Sequence, residues 1–479
     1  MKHAWKHLTP ILALVFLLAG TARGQQSLPS GRPVAATDAL RSALERKGYV
    51  AVSLVQEKEW DCFLVECKSG TETFRMLLDT GAADSSLDLG LVKKLGLKHE
   101  GEVNGVGIEG SRKGVKVSLC GLSIGGYDAR ATVDSLSVSA FDFTFTNTDR
   151  KRSKLPRIDG LLGNSTLRAN FAVIDYQTRT LYLRRPLACS SIPVTDPLRT
   201  MLEKKGYVAV RLVQEEYGHF VAECKCGSEA FRLHLDTGAE FSALDMRLVK
   251  KLGLKPQGAA TGVGIGGTLE GVKVSLRGLS IGDFDMRTTT ESLNVVGFDF
   301  TAVNAALAQH RKLRPIDGVL GHSHLEVYSA VIDYPNRTLY LRSPLNGLWP
   351  EIEGKWVAIE GQAEGRDVPL DPKTPIRVEF KDRQFRLSIG TDQFLCGMHV
   401  KPGKDRYTMV FFHPEQELAK ELEYRAGGLL KVSGGKLTLC LALDPEAAMG
   451  LPVTAKGLPD DFKAPAGSGH LLLEFRREK

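Results

Sequence analysis

The stretch that decides the fold is Leu77-Leu78-Asp79-Thr80-Gly81-Ala82, because it returns as Leu235-Asp236-Thr237-Gly238-Ala239. In both places an apolar, strand-like run delivers an Asp onto a turn of small residues. One Asp-Thr-Gly is an ordinary turn, its carboxylate capping the backbone two residues on. The surroundings argue against that bland explanation, because they return as well. Gly48–Val52 recurs as Gly206–Val210, Leu91–Lys98 as Leu248–Lys255, Gly114–Leu119 as Gly271–Leu276, and Gly121–Gly125 as Gly278–Gly282. Phe141–Phe143 recurs as Phe298–Phe300 and Ile158–Gly160 as Ile316–Gly318, always at an offset of 157 or 158. That period is far too long for a solenoid and marks a duplicated domain.

Copy one spans about 38–188 and copy two about 194–345, joined by a short link at 188–196. Within each copy the alternating, β-branched runs predict strands, for instance Tyr49–Val55, Val115–Leu119 and the closing hairpin of Ala172–Tyr176 with Thr180–Leu183. Leu89–Leu95 predicts a short helix stopped by Gly96. A Ser follows each Asp-Thr-Gly-Ala, at Ser85 and Ser242. A glycine hairpin comes next, with Gly105 and Gly107 in one copy and Gly262 and Gly264 in the other. Each copy then has Asp-Gly-apolar-Leu-Gly, at Asp159–Gly163 and Asp317–Gly321, expected to open a short helix.

This ordered set, found twice, resembles the bacterial branch of the retropepsin-like aspartic peptidases over roughly 300 of the 479 residues. The resemblance implies that Asp79 and Asp236 are catalytic. It implies that Thr80 and Thr237 brace the two lobes, with Gly81, Ala82, Gly238 and Ala239 completing the turns. Flaps carrying Gly105, Gly107, Gly262 and Gly264 would close over substrate near residues 101–113 and 258–270. Asp159 and Asp317 match a structural motif of that family. The expected fold is mainly β: two retropepsin-like β-barrel lobes forming a pepsin-like pseudo-dimer, plus a C-terminal small β-barrel.

The duplication fits the chemistry. Hydrolysing a peptide without a metal takes an activated water and a proton donor to the carbonyl oxygen. Two carboxylates about 3 Å apart share one proton, and the general case of this behaviour is the aspartic protease dyad. One copy brings one Asp, so a single copy needs a partner. The short link favours pairing within the chain, giving a monomer with an internal pseudo-dimer. Pairing of each repeat across chains in a homo-oligomer is the alternative. Ala82 and Ala239 stand where pepsin-like relatives often place a hydroxyl that would favour the charged carboxylate, so an optimum nearer neutral is expected.

Composition narrows the remaining classes. Hydrophobic residues at 43% and charged residues at 25% describe a globular chain, not a disordered or polytopic one. The 49 glycines, without a triplet period, suit β structure with tight turns. Lys2 and Lys6, the apolar Ile11–Ala19, and Ala22 and Gly24 predict a secretory signal over residues 1–24. The apolar run is too short to span a bilayer, so no stable membrane anchor is expected. Its loss removes three cations and no acids, lowering the net charge from +7 to +4, a weak argument for any nucleic-acid partner. The eight cysteines suggest buried thiols or one or two disulfides of unassignable pairing. His322-Ser-His324 has ligand types one residue apart, but copy one has Asn164-Ser-Thr166 there. No metal and no cofactor are expected. The basic runs Arg150–Lys154 and His310–Arg314 read as solvated loops, with a rim for acidic substrates or a processing site as the sharper reading. Asn336-Arg-Thr338 fits a glycosylation acceptor.

Residues 346–479 are unrelated to the repeats. Gly354-Lys-Trp356, Leu437–Leu441, and Gly467–Gly469 before Leu471–Phe475 resemble a small lipocalin-like domain of bacterial exported proteins. Such a barrel is filled by side chains or holds a ligand. The function expected of the whole is an exported aspartic endopeptidase, periplasmic or secreted, acting on peptide or protein substrates. The alternatives are a non-catalytic peptide-binding protein on the same scaffold, or ligand binding by the C-terminal barrel.

Overall fold

The computed structural model describes residues 11–12, 37–57, 60–107, 110–129, 135–185, 197–215, 218–264, 267–286, 292–308, 314–363, 365–381, 384–389, 392–402, 407–412, 426–442, 461–465 and 470–478. Most of the expected signal, the link at 188–196, the flap positions 108–109 and 265–266, the basic run at 309–313 and Gly467–Gly469 lie outside them. The chain divides into two compact units, one holding residues 33–342 and the other residues 343–479. The fold is mainly β, and both repeats fall in the first unit.

Each repeat folds around the strand that carries its Asp. In lobe 1 this is Glu72–Leu78, whose Phe74, Met76 and Leu78 point into the core while the residues between alternate outward or to a second cluster. Trp60–Ser69 pairs with it antiparallel on one side, and Gly160–Leu162 pairs with it parallel on the other, setting Leu162 against Leu78. Lobe 2 repeats the arrangement with Glu229–Asp236 between Phe220–Cys226 and Gly318–Gly321, and there Gly321 lies opposite Asp236. The Asp-Gly motif therefore enters a short strand first. The helices Asn164–Ala169 and His322–Val327 start only after it, because Gly160–Leu162 and Gly318–Gly321 complete the sheet beside each Asp strand. The predicted strand over 49–55 is interrupted at Leu54, whose amide makes a last in-register bond to the Arg179 carbonyl before Val55–Glu57 pairs with Trp60–Ser69 in another sheet.

The lobes are joined by a six-stranded antiparallel sheet. Its order is Tyr207–Arg211, Thr338–Arg342, Val331–Asp333, Val173–Asp175, Thr180–Leu183, Val50–Ser53. Ile174 faces Ile332 at its centre, so the pseudo-twofold axis passes between them. Two helices absent from the sequence expectations, Thr37–Arg46 and Pro197–Lys204, cover this sheet. Leu40 with Leu44, and Leu198 with Leu202, are four residues apart and share one helical face. They pack on Tyr182, Tyr340, Val173 and Val331. The expected closing hairpins are thus the interface of the pseudo-dimer.

The flap hairpins are His99–Gly107 with Gly110–Cys120, and Gly258–Val263 with Thr268–Arg277. Residues Ile11 and Leu12 run parallel to Gly105 and Val106 on the outer edge of the first. Among the described residues, no helix is long and apolar enough to cross a membrane.

The second unit holds an antiparallel meander in which Gly354–Ala363 pairs with both Ile376–Lys381 and the last strand, His470–Arg477. That double pairing closes eight strands into a small barrel, removing the exposed edges an open sheet would present. Trp356, Val378, Phe380, Leu430, Leu437, Leu439, Leu473 and Phe475 are fully buried in its core. Arg477 lies over the Trp356 ring, and the Trp356 indole N–H donates to the Ile352 carbonyl at 2.7 Å.

Candidate active site

The two Asp-Thr-Gly turns meet across the pseudo-twofold axis. The Thr80 amide donates to Thr237 Oγ1 at 3.0 Å, and the Thr237 amide donates to Thr80 Oγ1 at 3.0 Å. Each hydroxyl donates in turn to a carbonyl of the opposite lobe, Thr80 to Leu235 at 2.8 Å and Thr237 to Leu78 at 2.7 Å. Those four bonds are reciprocal, fully buried and made between the strands that end in the two Asp residues. Each is worth about 1 kcal/mol net, and breaking one in a buried site leaves a partner unsatisfied.

Asp79 and Asp236 are both fully buried. Asp79 Oδ1 accepts the Ala82 amide at 2.9 Å, and the Gly81 amide also favours its charged form. Asp236 Oδ1 accepts the Gly238 amide at 3.0 Å and the Ala239 amide at 3.1 Å. The Oδ2 atom of each takes no donor from the surrounding protein. The two carboxyls lie within reach of one another, and burial at that proximity favours their sharing one proton. Burial pushes Asp79 up to about 7, against the lowering pull of its backbone donors. Burial, followed by the charge of Asp79, raises Asp236 well above the ordinary carboxylate range. At neutral pH such a pair holds one proton between two oxygens, and the titration belongs to the pair.

The glycine after Thr237 is a steric requirement. A Cβ at Gly238 would sit 2.8 Å from Asp79 Cγ, so the opposite turn approaches the carboxyl as closely as backbone can. The Cys62 thiol donates to the Gly238 carbonyl at 3.4 Å.

The two serines after the turns hold them in place. Ser85 Oγ accepts the Gly163 amide at 3.0 Å and lies 2.7 Å from Thr166 Oγ1. Ser242 Oγ accepts the Gly321 amide at 2.8 Å and lies 2.7 Å from His324 Nδ1. Asp159 and Asp317 sit away from the dyad and accept the Arg75 and Arg232 amides, each at 3.1 Å. Gly105, Gly107, Gly262 and Gly264 lie in the two hairpins. Each flap docks on a helix of the other lobe. Val106 packs with Phe298, Val303 and Leu307, where Thr301–Ala308 is the lobe 2 helix. The Gly264 carbonyl accepts from Thr146, on the lobe 1 helix Thr144–Arg152, at 3.2 Å.

The pairing of His322 with His324 comes apart in the structure. His324 bonds Ser242, whereas the His322 ring is fully buried against Phe63 at 4.5 Å and Tyr176 at 5.0 Å. Among the described residues, no group of three or more His, Cys, Asp or Glu is placed to hold a metal ion. Cys62, Cys67, Cys120, Cys224, Cys226 and Cys440 are in no disulfide.

Sequence reasoning missed several residues around the dyad. Asn164 Nδ2 donates to the Thr80 carbonyl at 2.5 Å and the Ala82 carbonyl at 3.0 Å, and Tyr334 of the other lobe donates to Asn164 Oδ1 at 2.7 Å. The signal was available in part, since Tyr176 and Tyr334 end the repeated Ile-Asp-Tyr and Asn164 differs from its repeat partner His322.

Comparison with known families matches the chain twice to the family described as aspartyl protease, over residues 65–166 and 222–323. Each match takes in one Asp-Thr-Gly turn, one flap and one Asp-Gly motif. No curated protein matches the chain.

Proposed function

We propose that the protein is an exported aspartic endopeptidase in which Asp79 and Asp236 act as one dyad. The observation that carries this reading is the buried carboxyl pair held by the reciprocal Thr80 and Thr237 bonds. A peptide entering beneath the flaps places its scissile carbonyl between the carboxyls. The ionised carboxyl takes a proton from a water as that water attacks the carbonyl carbon. The protonated carboxyl gives its proton to the carbonyl oxygen, and the resulting diol collapses as the amine leaves protonated. The backbone amides of Ala82, Gly238 and Ala239 hold the inner oxygens, leaving Oδ2 of each Asp to handle protons. No step calls on a metal or cofactor.

With Asp79 drawn up to about 7, and no hydroxyl at Ala82 or Ala239 to pull the pair down, the optimum falls nearer neutral than pepsin's. A pH–rate profile peaking below about 3 would count against this assignment. The site itself is tested by Asp79→Asn and Asp236→Asn, made separately in a chain of verified monomeric size. Either change abolishes cleavage of a peptide library if the carboxyls are one dyad. A variant that keeps the parent's rate overturns it, and a parent that cleaves nothing at any pH favours peptide binding without hydrolysis. Export rests on the leader-like residues 1–24, and the C-terminal barrel, similar to a lipocalin-like module, is read as a packed accessory domain.

A further inference from the structure

We propose that Tyr334 and Asn164 form a positioning pair, through which lobe 2 holds the catalytic turn of lobe 1, and that the opposite turn has no such clamp. The proposal rests on the peptidase reading of the dyad and adds a division of labour between its halves.

The bonds run in one direction. Tyr334 follows Val331–Asp333 in the central interface sheet, and its hydroxyl crosses to lobe 1 to donate to Asn164 Oδ1 at 2.7 Å. With Oδ1 so occupied, the Asn164 amide donates to the carbonyls of Thr80 and Ala82, on either side of Gly81. Carbonyls only accept, which fixes the orientation of the amide group. Thr80 C=O and Gly81 N–H belong to one trans peptide, so they point in opposite directions. Holding the carbonyl toward Asn164 therefore turns the Gly81 N–H toward Asp79. The Ala82 amide, one peptide further on, donates to Asp79 Oδ1 at 2.9 Å. The clamp thus acts on Asp79 through the two amides that stabilise its charge. All members are buried, where an imperfect bond is costly and a complete network rigidifies.

The equivalent positions in the other half are Tyr176 and His322, and they make no such chain. The Tyr176 hydroxyl and both His322 ring nitrogens are buried without a hydrogen-bond partner. The rings instead stack, with centroids 5.0 Å apart. The His322 backbone amide still bonds the Ala239 carbonyl at 2.7 Å, as the Asn164 amide bonds Ala82 at 2.9 Å. The backbone frame is therefore symmetric and the side-chain clamp is not.

The symmetry supplies its own control: Tyr334→Phe and Tyr176→Phe delete the same atom from equivalent sites. In the full chain, Tyr334→Phe is expected to lower kcat roughly tenfold, the cost of one buried hydrogen bond, with KM unchanged. It also moves the acidic limb of the kcat/KM profile to higher pH, because slackened amides stabilise the Asp79 charge less. Hydrogen exchange over residues 79–84 quickens. Tyr176→Phe leaves kcat, the limb and exchange over 236–241 at the parent's values. Asn164→His, which installs the residue lobe 2 already tolerates, repeats the Tyr334→Phe result and serves if the latter fails to fold. Equal effects of the two Phe variants, or an unmoved limb and unchanged exchange in both Tyr334→Phe and Asn164→His, overturn the proposal. Exchange is measured whether or not the parent cleaves peptides, so an inactive parent counts against the peptidase reading alone.

Discussion

Lobe 1 and lobe 2 present the same turn on different supports. The turn itself is symmetric to within a tenth or two of an ångström in its four threonine bonds. One layer behind it the repeats have parted. Where lobe 1 has Cys62, Leu77 and Asn164, lobe 2 has His219, His234 and His322. All six are buried. The difference separates two requirements. A shared-proton pair needs both carboxyls in matched settings, so the atoms touching them cannot drift. The supports are freer to differ, and there lobe 2 carries imidazoles where lobe 1 carries a thiol, an aliphatic chain and an amide.

The imidazoles have a thermodynamic consequence, and it gives the largest predicted effect. Burial holds His219 down to about 3, with His234 beside it adding to the effect. Burial, then the Arg232 charge, holds His234 to about 4, and burial, then Arg179, holds His322 to about 3. Glu215 lies 3.5 Å from His234 Nε2 and would favour its charged form, but its other oxygen is 2.5 Å from Arg232, and burial prevails. A histidine whose folded pKa lies below its unfolded value costs nothing above about pH 6.5. Below that the unfolded chain binds the proton first, and stability falls as pH drops toward the folded pKa. By pH 5 this amounts to on the order of 2 kcal/mol for each histidine. The described part of lobe 1 has only the exposed His99 and no buried histidine. Hydrogen exchange taken from pH 7.5 to 4.5 should therefore show lobe 2 losing protection before lobe 1. His234→Leu, copying Leu77, should flatten the dependence by about one histidine's share. Equal loss in both lobes would erase the contrast drawn above.

The dyad contributes with the opposite sign. Asp79, raised to about 7 from an ordinary value near 4, binds a proton more readily folded than unfolded. Its penalty is complete above pH 7 and vanishes below about 4, up to roughly 4 kcal/mol. Asp79→Asn should abolish cleavage and yet melt higher than the parent at pH 8, with the advantage shrinking toward pH 4. Asp236→Asn should behave alike, because the strain belongs to the pair. A gain from one variant and not the other in pH-resolved melts would show that the asymmetry reaches the carboxyls themselves.

How far this organisation was legible follows from where the chemistry sits. The duplicated lobes, both Asp-Thr-Gly turns and the flaps were readable because Gly, Asp and Thr there are fixed by backbone geometry and by a motif repeated at constant offset. In the C-terminal unit the plain alternation of Phe385–Ile389 and Leu437–Leu441 falls on the strands Gln384–Ile389 and Lys436–Ala442. The covering helices were not. Their apolar positions, Ala39, Leu40, Ala43 and Leu44 in one and Leu198, Met201 and Leu202 in the other, span little more than one turn each, too short a run for the period to stand out from loop. Asn164 and Tyr334 were invisible for another reason. They are 170 residues apart and meet only through the interface sheet, so no local spacing links them. The helix Thr144–Arg152 was hidden by its charge, since Arg150, Lys151 and Arg152 in its last turn read as a solvated loop.

The flaps offer the finest form of the comparison. Flap 1 is held by apolar packing of Val106 among Phe298, Val303 and Leu307. Flap 2 is held at Gly264 by the Thr146 hydroxyl. Thr146 and Val303 occupy equivalent repeat positions, so the same site on each docking helix grips by a different force. A hydroxyl-to-carbonyl bond is worth about 1 kcal/mol and can be exchanged for water as the flap lifts. Apolar burial has no such substitute, and trimming Val106 by two carbons costs about 1.6 kcal/mol. Flap 2 should then be the one that opens first to admit substrate. Thr146→Val should speed exchange at residues 258–263 severalfold and alter KM more than kcat, while exchange at 99–107 stays unchanged. Val106→Ala should do the reverse. If either substitution loosens both hairpins equally, the flaps open as one body and the difference between their latches has no bearing on how the cleft is entered.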